Sequence, residues 1–438
     1  MKIEISNNGK WHQSLTIKMG VLVFLGLLFL IPLQMIKLVI LERQKNSNAV
    51  RSEISDQWAI RQYVTGPVLN IPLKTIPKNK DEKVSFQTWH ILPDQLEIKG
   101  EIHPEIRHRG IYKAVVYDSH LDFTGEFLIP DSYSIQDFEI QWKEAYYTLG
   151  ITDNRGIRGN VKIETDSSEY EAVPGVKDTD LFKSGITFTP VITESISSHN
   201  FRISLNLSGS EGLFFIPVGK TTKTKISSTW NSPSFTGRFL PSKRTINSSG
   251  FIAEWLITNL NRNFPQSWIG SAYNINENFF GAELFLTVDH YQKAIRCAKY
   301  GLLFIALTFM VLIFLELTSE AKIHIFNYFL VALALALFFS LLTALSEHIG
   351  FSAAYLLSSV ATIMMLTIFA KSFFAERKAV FIVSGLLVSL YAFIYIILSL
   401  NDFAFLAGNI GLFILLAIVM RFSGKINLFK KESMTDNQ

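Results

Sequence analysis

Titratable side chains stand in the short breaks between long apolar runs of this sequence. Glu347 and His348 fill one break and Asp402 fills another, while Arg296 and Lys299 stand just before a further run. If those runs are helices that cross a membrane, all five side chains lie at the same membrane face. One interpretation is a charged cluster at this face that docks the exported domain onto the helices. The other, which the sequence favours, is that these residues are solvated turns and caps.

Motifs for catalysis, nucleotide binding and metal binding are incomplete. Gly219-Lys220-Thr221 matches the end of a phosphate-binding loop, but Phe214 stands where the first glycine of that loop belongs. His103 and His108 lack the spacing of a helical or paired zinc site. No Gly-x-Ser-x-Gly elbow is present. We predict that the protein is not an enzyme and has no catalytic, cofactor-binding or metal-binding residue. A hydrolase whose carboxylates are distant in sequence and meet only in the folded structure stays open.

Transport would require polar side chains at membrane depth, where they are costly and usually functional. The middles of the five C-terminal runs contain no Asp, Glu, Lys, Arg or His, and Asn409 is the one strongly polar residue well inside. A single amide more often bridges two helices than lines a route. This composition argues against an ion or proton pump, whereas a lipid route tolerates apolar walls and stays open. Small hydroxyls are the other polar groups of these runs: Thr308, Thr343, Ser358, Ser359 and Thr362.

Six apolar runs are long enough to cross a bilayer, whose core needs about 20 helical residues. The first run, 19–41, follows the segment 1–18 and is interrupted by polar residues near its outer end. The sequence thus predicts an α-helical six-transmembrane-helix bundle, one N-terminal plus five C-terminal, ending in a tail at 423–438. The five C-terminal runs lie within 298–422: 298–317, 326–345, 351–369, 379–400 and 403–422.

The distribution of lysine and arginine predicts the orientation. With the N-terminus inside, eleven of these residues lie on the cytoplasmic side and none in the two short loops of the other side. Both termini are then cytoplasmic and 42–297 is exported. A signal peptide also fits the first run, but no small-x-small cleavage site follows it, which favours an uncleaved anchor. The net charge of +4 reflects this topology and gives no reason to expect a nucleic-acid partner.

The exported region alternates apolar and polar residues with a period of two. Leu96–Ile102, Val161–Glu164 and Phe201–Leu207 show this pattern, which is typical of strands with one buried face. Turn residues separate such segments at short intervals. We predict a large all-β exported domain, sandwich-like or roll-like, with two β subdomains as an option.

Two segments of this region have a helical rather than a strand pattern. Val50–Tyr63 can continue from the first membrane helix, and Phe251–Asn261 places its apolar residues on one helical face.

The single cysteine, Cys297, excludes a disulfide within the domain, so the hydrophobic core of the domain must stabilise it.

Several groups of residues, spread from the first helix to the last, resemble one family. They are Gly66-Pro67-Val68-Leu69, Gly150-Ile151-Thr152-Asp153 with Arg155-Gly156-Ile157, Ser227-Ser228-Thr229-Trp230 through Phe239-Leu240-Pro241, and Ser346-Glu347-His348-Ile349-Gly350-Phe351. On these residues the chain resembles the CreD family of bacterial inner-membrane, cell-envelope integrity proteins. The resemblance implies a multi-pass protein of the bacterial inner membrane with a periplasmic domain, linked to envelope stress and with no established reaction.

Two hypotheses about function follow. The preferred one is a non-enzymatic envelope protein whose β domain binds an unknown envelope component, such as a protein, a lipid or a peptidoglycan precursor. In that hypothesis the helices sit in membrane lipid as an anchor. The alternative is a transporter or a lipid-handling protein whose path runs between the helices and the domain.

Overall fold

The chain divides into two units that we describe separately. The helical unit comprises residues 1–46 and 288–438, and the β unit comprises residues 47–287. The computed structural model describes residues 15–77, 83–130, 135, 137–166, 168–193, 197–284, 290–319, 321–374, 376–400 and 404–423.

The first apolar run forms two helices that follow each other almost without a break. Helix α1 covers Leu15–Leu28 and α2 covers Leu30–Trp58. Phe29 separates them because Pro32, which has no backbone N–H, cannot donate to the carbonyl of Leu28. The hydrogen bonds on either side persist, so the chain stays helical well beyond the predicted end at residue 41. The predicted helical segment Val50–Tyr63 is correct as far as Trp58.

The C-terminal part of the helical unit begins with a short helix that precedes the second apolar run. Tyr300 separates this helix from the next, so the helix that covers most of the predicted run 298–317 begins at Gly301. A Cβ at Gly301 would lie 2.7 Å from the Leu33 side chain. Glycine therefore allows a close helix contact at this position. The helices are α3 (His290–Lys299), α4 (Gly301–Thr318), α5 (Ile325–Ile349), α6 (Phe351–Ala370), α7 (Arg377–Ser399) and α8 (Ala404–Ser423).

Five helices of the described residues are long and apolar enough to cross a membrane. They are the N-terminal helix over Ile17–Trp58 and the helices α4, α5, α6 and α7. Helix α8, 20 residues long, covers most of the sixth predicted run, and its crossing stays a prediction.

The β unit consists of many short strands. They are β1 (Gln62–Thr75), β2 (Phe86–Ile91), β3 (Gln95–Arg109), β4 (Tyr112–Leu128), β5 (Phe138–Ile140), β6 (Tyr146–Ile151), β7 (Ile157–Thr165), β8 (Glu169–Glu171), β9 (Val173–Pro174), β10 (Gly185–Phe188), β11 (Ser198–Ser210), β12 (Gly212–Ile216), β13 (Thr221–Ser228), β14 (Pro233–Gly237), β15 (Lys243–Asn247), β16 (Gly250–Thr258), β17 (Ser267–Ile269) and β18 (Phe280–Leu284).

These strands form two sheets, of ten and eight strands among the described residues. The first runs β14-β18-β12-β1-β6-β10-β9, with β2 and β5 also paired to β1 and β17 paired to β2. The second runs β15-β16-β13-β3-β4-β11-β7-β8. Most pairs are antiparallel, as the alternation predicts, but β1 with β12 and β13 with β3 are parallel.

Both sheets contribute to one hydrophobic core. Ile71 of β1, Ile98 of β3 and Ile203 of β11 belong to the same cluster of buried residues, and each is at most 1% exposed. Burial of apolar surface from two facing sheets is the driving force of a sandwich-like fold. The structure confirms a helical membrane part with a large all-β part. The option of two β subdomains is wrong, because the core is shared.

The helical prediction for Phe251–Asn261 is also wrong. The segment is strand β16, which pairs antiparallel with β13 and β15. Trp255 and its alternate neighbours are buried, whereas Ile252 and Leu256 are exposed. Apolar side chains on both faces of the strand produced the false helical pattern.

Candidate functional site

The predicted charged cluster is only partly assembled. Glu347, near the end of α5, accepts a hydrogen bond of 3.0 Å from the Tyr291 hydroxyl of α3. Arg296 and Lys299, on the same short helix, are exposed, as is His348. In the part of the chain that the structure describes, no ion pair joins Glu347 to either cation. Docking through these residues stays a prediction.

The remaining candidates are Asp402, a member of the predicted cluster, and His103, a metal candidate. Asp402 lies outside the described residues. His103 lies on β3 with its Nε2 atom 3.7 Å from Glu101, and both side chains are exposed. Within the described ranges, no group of three or more His, Cys, Asp or Glu side chains is placed to hold a metal ion.

The hydroxyl groups of the helices bond mainly to their own backbone. Thr308, Thr343 and Thr362 each donate to the carbonyl four residues earlier, at 2.7 to 2.9 Å. Such bonds satisfy a hydroxyl inside a helix without a partner from elsewhere. Asn409 is exposed on α8.

Sequence reasoning missed an ion pair inside the helical unit. Lys18 of α1 places its Nζ 2.5 Å from Oε1 of Glu316 on α4, and it also donates to the carbonyl of Ile323 at 2.7 Å. Glu316 accepts further bonds from the Tyr328 hydroxyl at 2.9 Å and from the Ile323 N–H at 3.2 Å. The two charges are therefore paired and hydrogen-bonded, as partly buried charges require.

The site with the strongest chemical character lies in the β unit, along one row of opposed residues. Strand register places Trp268 opposite His90, His90 opposite Asn70, and Asn70 opposite Tyr146. Opposed residues point to the same face of a sheet, so four strands bring these side chains together. In β1, β2 and β6 the neighbours of this row belong to the hydrophobic core, so Asn70, His90 and Tyr146 lie on the opposite face of the ten-stranded sheet; the core neighbours are Leu69, Ile71, Trp89, Ile91, Ala145 and Tyr147.

Hydrogen bonds within the row fix the tautomer of His90. The amide of Asn70 donates to the Thr148 hydroxyl at 3.0 Å and to the Val68 carbonyl at 3.2 Å, which leaves Oδ1 as an acceptor. His90 Nδ1 lies 2.7 Å from that oxygen and must therefore donate to it. In the neutral ring, Nε2 then carries a lone pair.

That lone pair faces another acceptor. His90 is fully buried, and among the described residues its Nε2 has no hydrogen-bond partner. The nearest charged atom is Oδ2 of Asp178, at 3.8 Å. Burial lowers the pKa of His90 to about 4, although the negative charge of Asp178 offsets part of this effect. The imidazole is therefore neutral near pH 7 and cannot neutralise Asp178.

Asp178 is part of the wall of an open cleft of about 640 Å³. The wall is predominantly polar, and Thr88 and Tyr146 connect it to the row described above. Burial, followed by the charge of Asp178, raises the pKa of Tyr146, so its hydroxyl stays protonated. Ligand sites are usually lined by apolar side chains with a few placed polar groups, and this cleft differs from them in its mostly polar wall. The polar residues that line the cleft include Thr88, Tyr146, Lys177, Asp178, Asp180 and Ser271.

A second polar network explains one of the sequence markers. Asp153 accepts hydrogen bonds from the backbone N–H and the side chain of Arg155, which lowers the pKa of the carboxyl group. The buried amide of Gln62 donates to the carbonyls of Asp153 and Ser208, at 2.9 and 3.2 Å. A Cβ at Gly156 would lie only 2.3 Å from the Ser208 oxygen. The glycine is thus required by close backbone approach.

Replacing Gly156 with alanine is expected to destabilise the β unit by roughly 1–3 kcal/mol, the usual cost of overpacking. The added methyl group must displace the Ser208 carbonyl or the Gln62 amide, and both are hydrogen-bonded. Urea unfolding of the full-length protein followed by tryptophan fluorescence measures the loss. Asn160→Ala, an exposed position in the next strand, is the control. Equal stability of the two variants would contradict this role.

The row of His90, Asn70 and Tyr146 left only a weak signal in the sequence. Asn70 stands between Leu69 and Ile71, and His90 stands between Trp89 and Ile91, so each is a polar residue inside an apolar strand. Such positions conflict with the local pattern and are often functional.

Comparisons with known proteins agree on one family. The family model described as "Inner membrane protein CreD" matches residues 14–429. The inner membrane protein CreD of Escherichia coli (strain K12) is 30% identical over 434 residues, which cover 94% of this chain and 95% of that protein.

Proposed function

The chain belongs to the CreD family of inner membrane proteins, and from this premise we propose that it supports the integrity of the cell envelope by binding an envelope component in its β-unit cleft. The binding is non-enzymatic, and the component is a protein, a lipid or a peptidoglycan precursor. The helices anchor the chain in membrane lipid with both termini in the cytoplasm, and the β unit is periplasmic.

The observation that carries this proposal is the cleft beside His90. Its wall holds the carboxylate of Asp178, behind which lies a buried, neutral imidazole. Nε2 of His90 is a buried polar atom without a hydrogen-bond partner among the described residues, and such an atom is costly for the fold. Its position behind a carboxylate of an open cleft supports a binding role. The lysine and arginine distribution supports the export of the unit that contains the cleft.

A cysteine placed in the cleft tests both the location and the binding. Cys297 is fully buried, so the wild-type chain offers a low labelling background. Ser271→Cys lines the cleft and Thr245→Cys lies on the exposed strand β15, outside the cleft. In intact cells, a membrane-impermeant maleimide is expected to label both variants. Labelling of either variant only after the inner membrane is opened would contradict periplasmic export.

The same two variants test the partner. A maleimide reagent with a photoreactive arm is attached in cells and then activated. Ser271→Cys is expected to crosslink an envelope component that Thr245→Cys does not. Identical products from the two positions would refute a role for the cleft, and lipid as the sole product would favour lipid handling over binding of a protein or wall component.

A further inference from the structure

Among the described residues, only one of the two carboxylate oxygens of Asp178 accepts a hydrogen bond. Its Oδ1 accepts the backbone N–H of Asp180 at 2.8 Å. Its Oδ2, which faces His90 Nε2 at 3.8 Å, accepts no hydrogen bond within the described part of the chain. The side chain is 15% exposed and lies in the cleft wall, so a donor can reach it from the cleft.

His90 determines which kind of donor the carboxylate needs. Because Asn70 takes the proton-bearing Nδ1, the ring presents a lone pair towards Asp178. Two acceptors that face each other repel, and neither supplies the missing hydrogen. The buried histidine thus leaves the negative charge of Asp178 uncompensated and disfavours any anion at this end of the cleft.

The other charged residues of the cleft wall also disfavour an anionic ligand. Its charged residues are Asp178, Asp180 and Lys177, two carboxylates and one ammonium. Lys177 does not pair with Asp178; its Nζ lies 4.9 Å from the centre of the Tyr146 ring, over the aromatic face. The wall therefore has one negative charge in excess.

We propose that the β-unit cleft binds its ligand through a protonated primary amine, which donates to Oδ2 of Asp178. The inference rests on the proposed function, since it names the ligand chemistry of the same cleft. An ammonium group supplies both the positive charge and the N–H donors that the site lacks, and such charge-assisted hydrogen bonds are the strong ones. In a cell envelope, this group occurs on lipid headgroups and on diamino acids of wall peptides.

Calorimetric titration of the full-length protein in phosphatidylcholine nanodiscs tests the proposal, because that headgroup has no N–H donor. Nα-acetyl-lysine amide is expected to bind at least tenfold more tightly than Nα,Nε-diacetyl-lysine amide, which has the same shape near the chain but no charge. Phosphoethanolamine is likewise expected to bind more tightly than phosphocholine. Whichever of the two free amines binds more tightly, the lysine derivative or phosphoethanolamine, indicates whether the ligand's amine belongs to a diamino acid or to a lipid headgroup.

Asp178→Asn is expected to abolish the preference for the free amine. The matched control is Asp122→Asn, which removes a carboxylate from β4 in the other sheet and should keep the preference. If Asp178→Asn fails to fold, the two lysine probes on the wild-type protein still test the preference for a free amine. Equal affinity for the charged and acetylated probes, or no binding of either, would overturn the proposal.

The failure of this inference differs from a failure of the proposed function. Cleft-specific crosslinking in cells without binding of the amines would leave the function intact and refute the ligand class. Binding of the amines by Asp178 without cleft-specific crosslinking would establish the site but refute its role in recognising an envelope component.

Discussion

Lowering the pH from 7 to 4 is expected to destabilise the β unit by roughly 3 kcal/mol for each of two buried histidines, His90 and His199. Burial lowers the pKa of both from 6.5 to about 4. Between these values the unfolded chain binds more protons than the folded one, so folding stability rises with pH. The stability is fully present above about pH 6.5 and is lost as the pH falls towards 4.

The two histidines have different surroundings and the same response. His90 is held by Asn70, and Asp178 offsets part of the effect of burial. His199 is hydrogen-bonded to the Tyr147 hydroxyl and lies beside the Phe127 ring, with ring centres 5.6 Å apart. For His199, burial alone lowers the pKa. We therefore expect both to oppose protonation in the folded state.

Urea unfolding of the full-length protein in detergent, at several pH values, measures this effect. Six of the seven tryptophans lie within 47–287, so tryptophan fluorescence reports mainly on the β unit. His90→Gln and His199→Gln should each flatten the profile between pH 6.5 and 4, whereas the exposed control His120→Gln should keep the wild-type profile. A free energy of unfolding that stays constant over this range in the wild-type protein would show that the prediction is wrong.

The fold of the β unit could be predicted wherever one face of a strand is apolar and the other polar. The predicted alternating segments Leu96–Ile102 and Phe201–Leu207 lie within β3 and β11, because burial on one side imposes a period of two. The prediction failed at β16, where Ile252 and Leu256 put apolar side chains on the exposed face as well. Periodicity cannot separate a helix from a strand when both faces are apolar.

The binding cleft could not be predicted, because it depends on strand register. Asn70, His90, Tyr146 and Trp268 come from four strands, and only the pairing of β17, β2, β1 and β6 aligns them. Register is fixed by the whole buried face of a sheet and has no local signature in the sequence.

Positions along the chain predict the charged cluster, and the structure adds Tyr291, an uncharged partner, to Glu347.

The ion pair of the helical unit was missed for a similar reason. Lys18 and Glu316 each lie near the end of an apolar run, where a lone charge is normally solvated, and they are 298 residues apart in sequence. Lys18 is one of the eleven basic residues whose distribution predicts the orientation. Its bonds to Glu316 and to the Ile323 carbonyl show that it also connects the first helix to the α4–α5 loop.

Replacing Lys18 with methionine is expected to destabilise the helical unit by roughly 3 kcal/mol or more, because removal of one partner leaves an uncompensated, partly buried charge on Glu316. Both side chains of the pair are only 18% exposed. Thermal unfolding of the full-length protein in detergent, followed by circular dichroism at a helical wavelength, reports on this unit. Lys37→Met, which changes a lysine of the following helix α2, is the matched control and should have a small effect.

The double variant Lys18→Met with Glu316→Gln separates a lost attraction from a stranded charge. Glutamine removes the charge. Its Oε1 can still accept the Ile323 N–H, and its Nε2 can donate to the oxygen of the Tyr328 hydroxyl, which now donates to Oε2 of Glu316. Since a neutral replacement of a buried pair is often nearly neutral in stability, the double variant should recover most of the loss. A double variant as unstable as Lys18→Met alone would mean that attraction across the pair, and not the cost of an unpaired carboxylate, holds the first helix against α4.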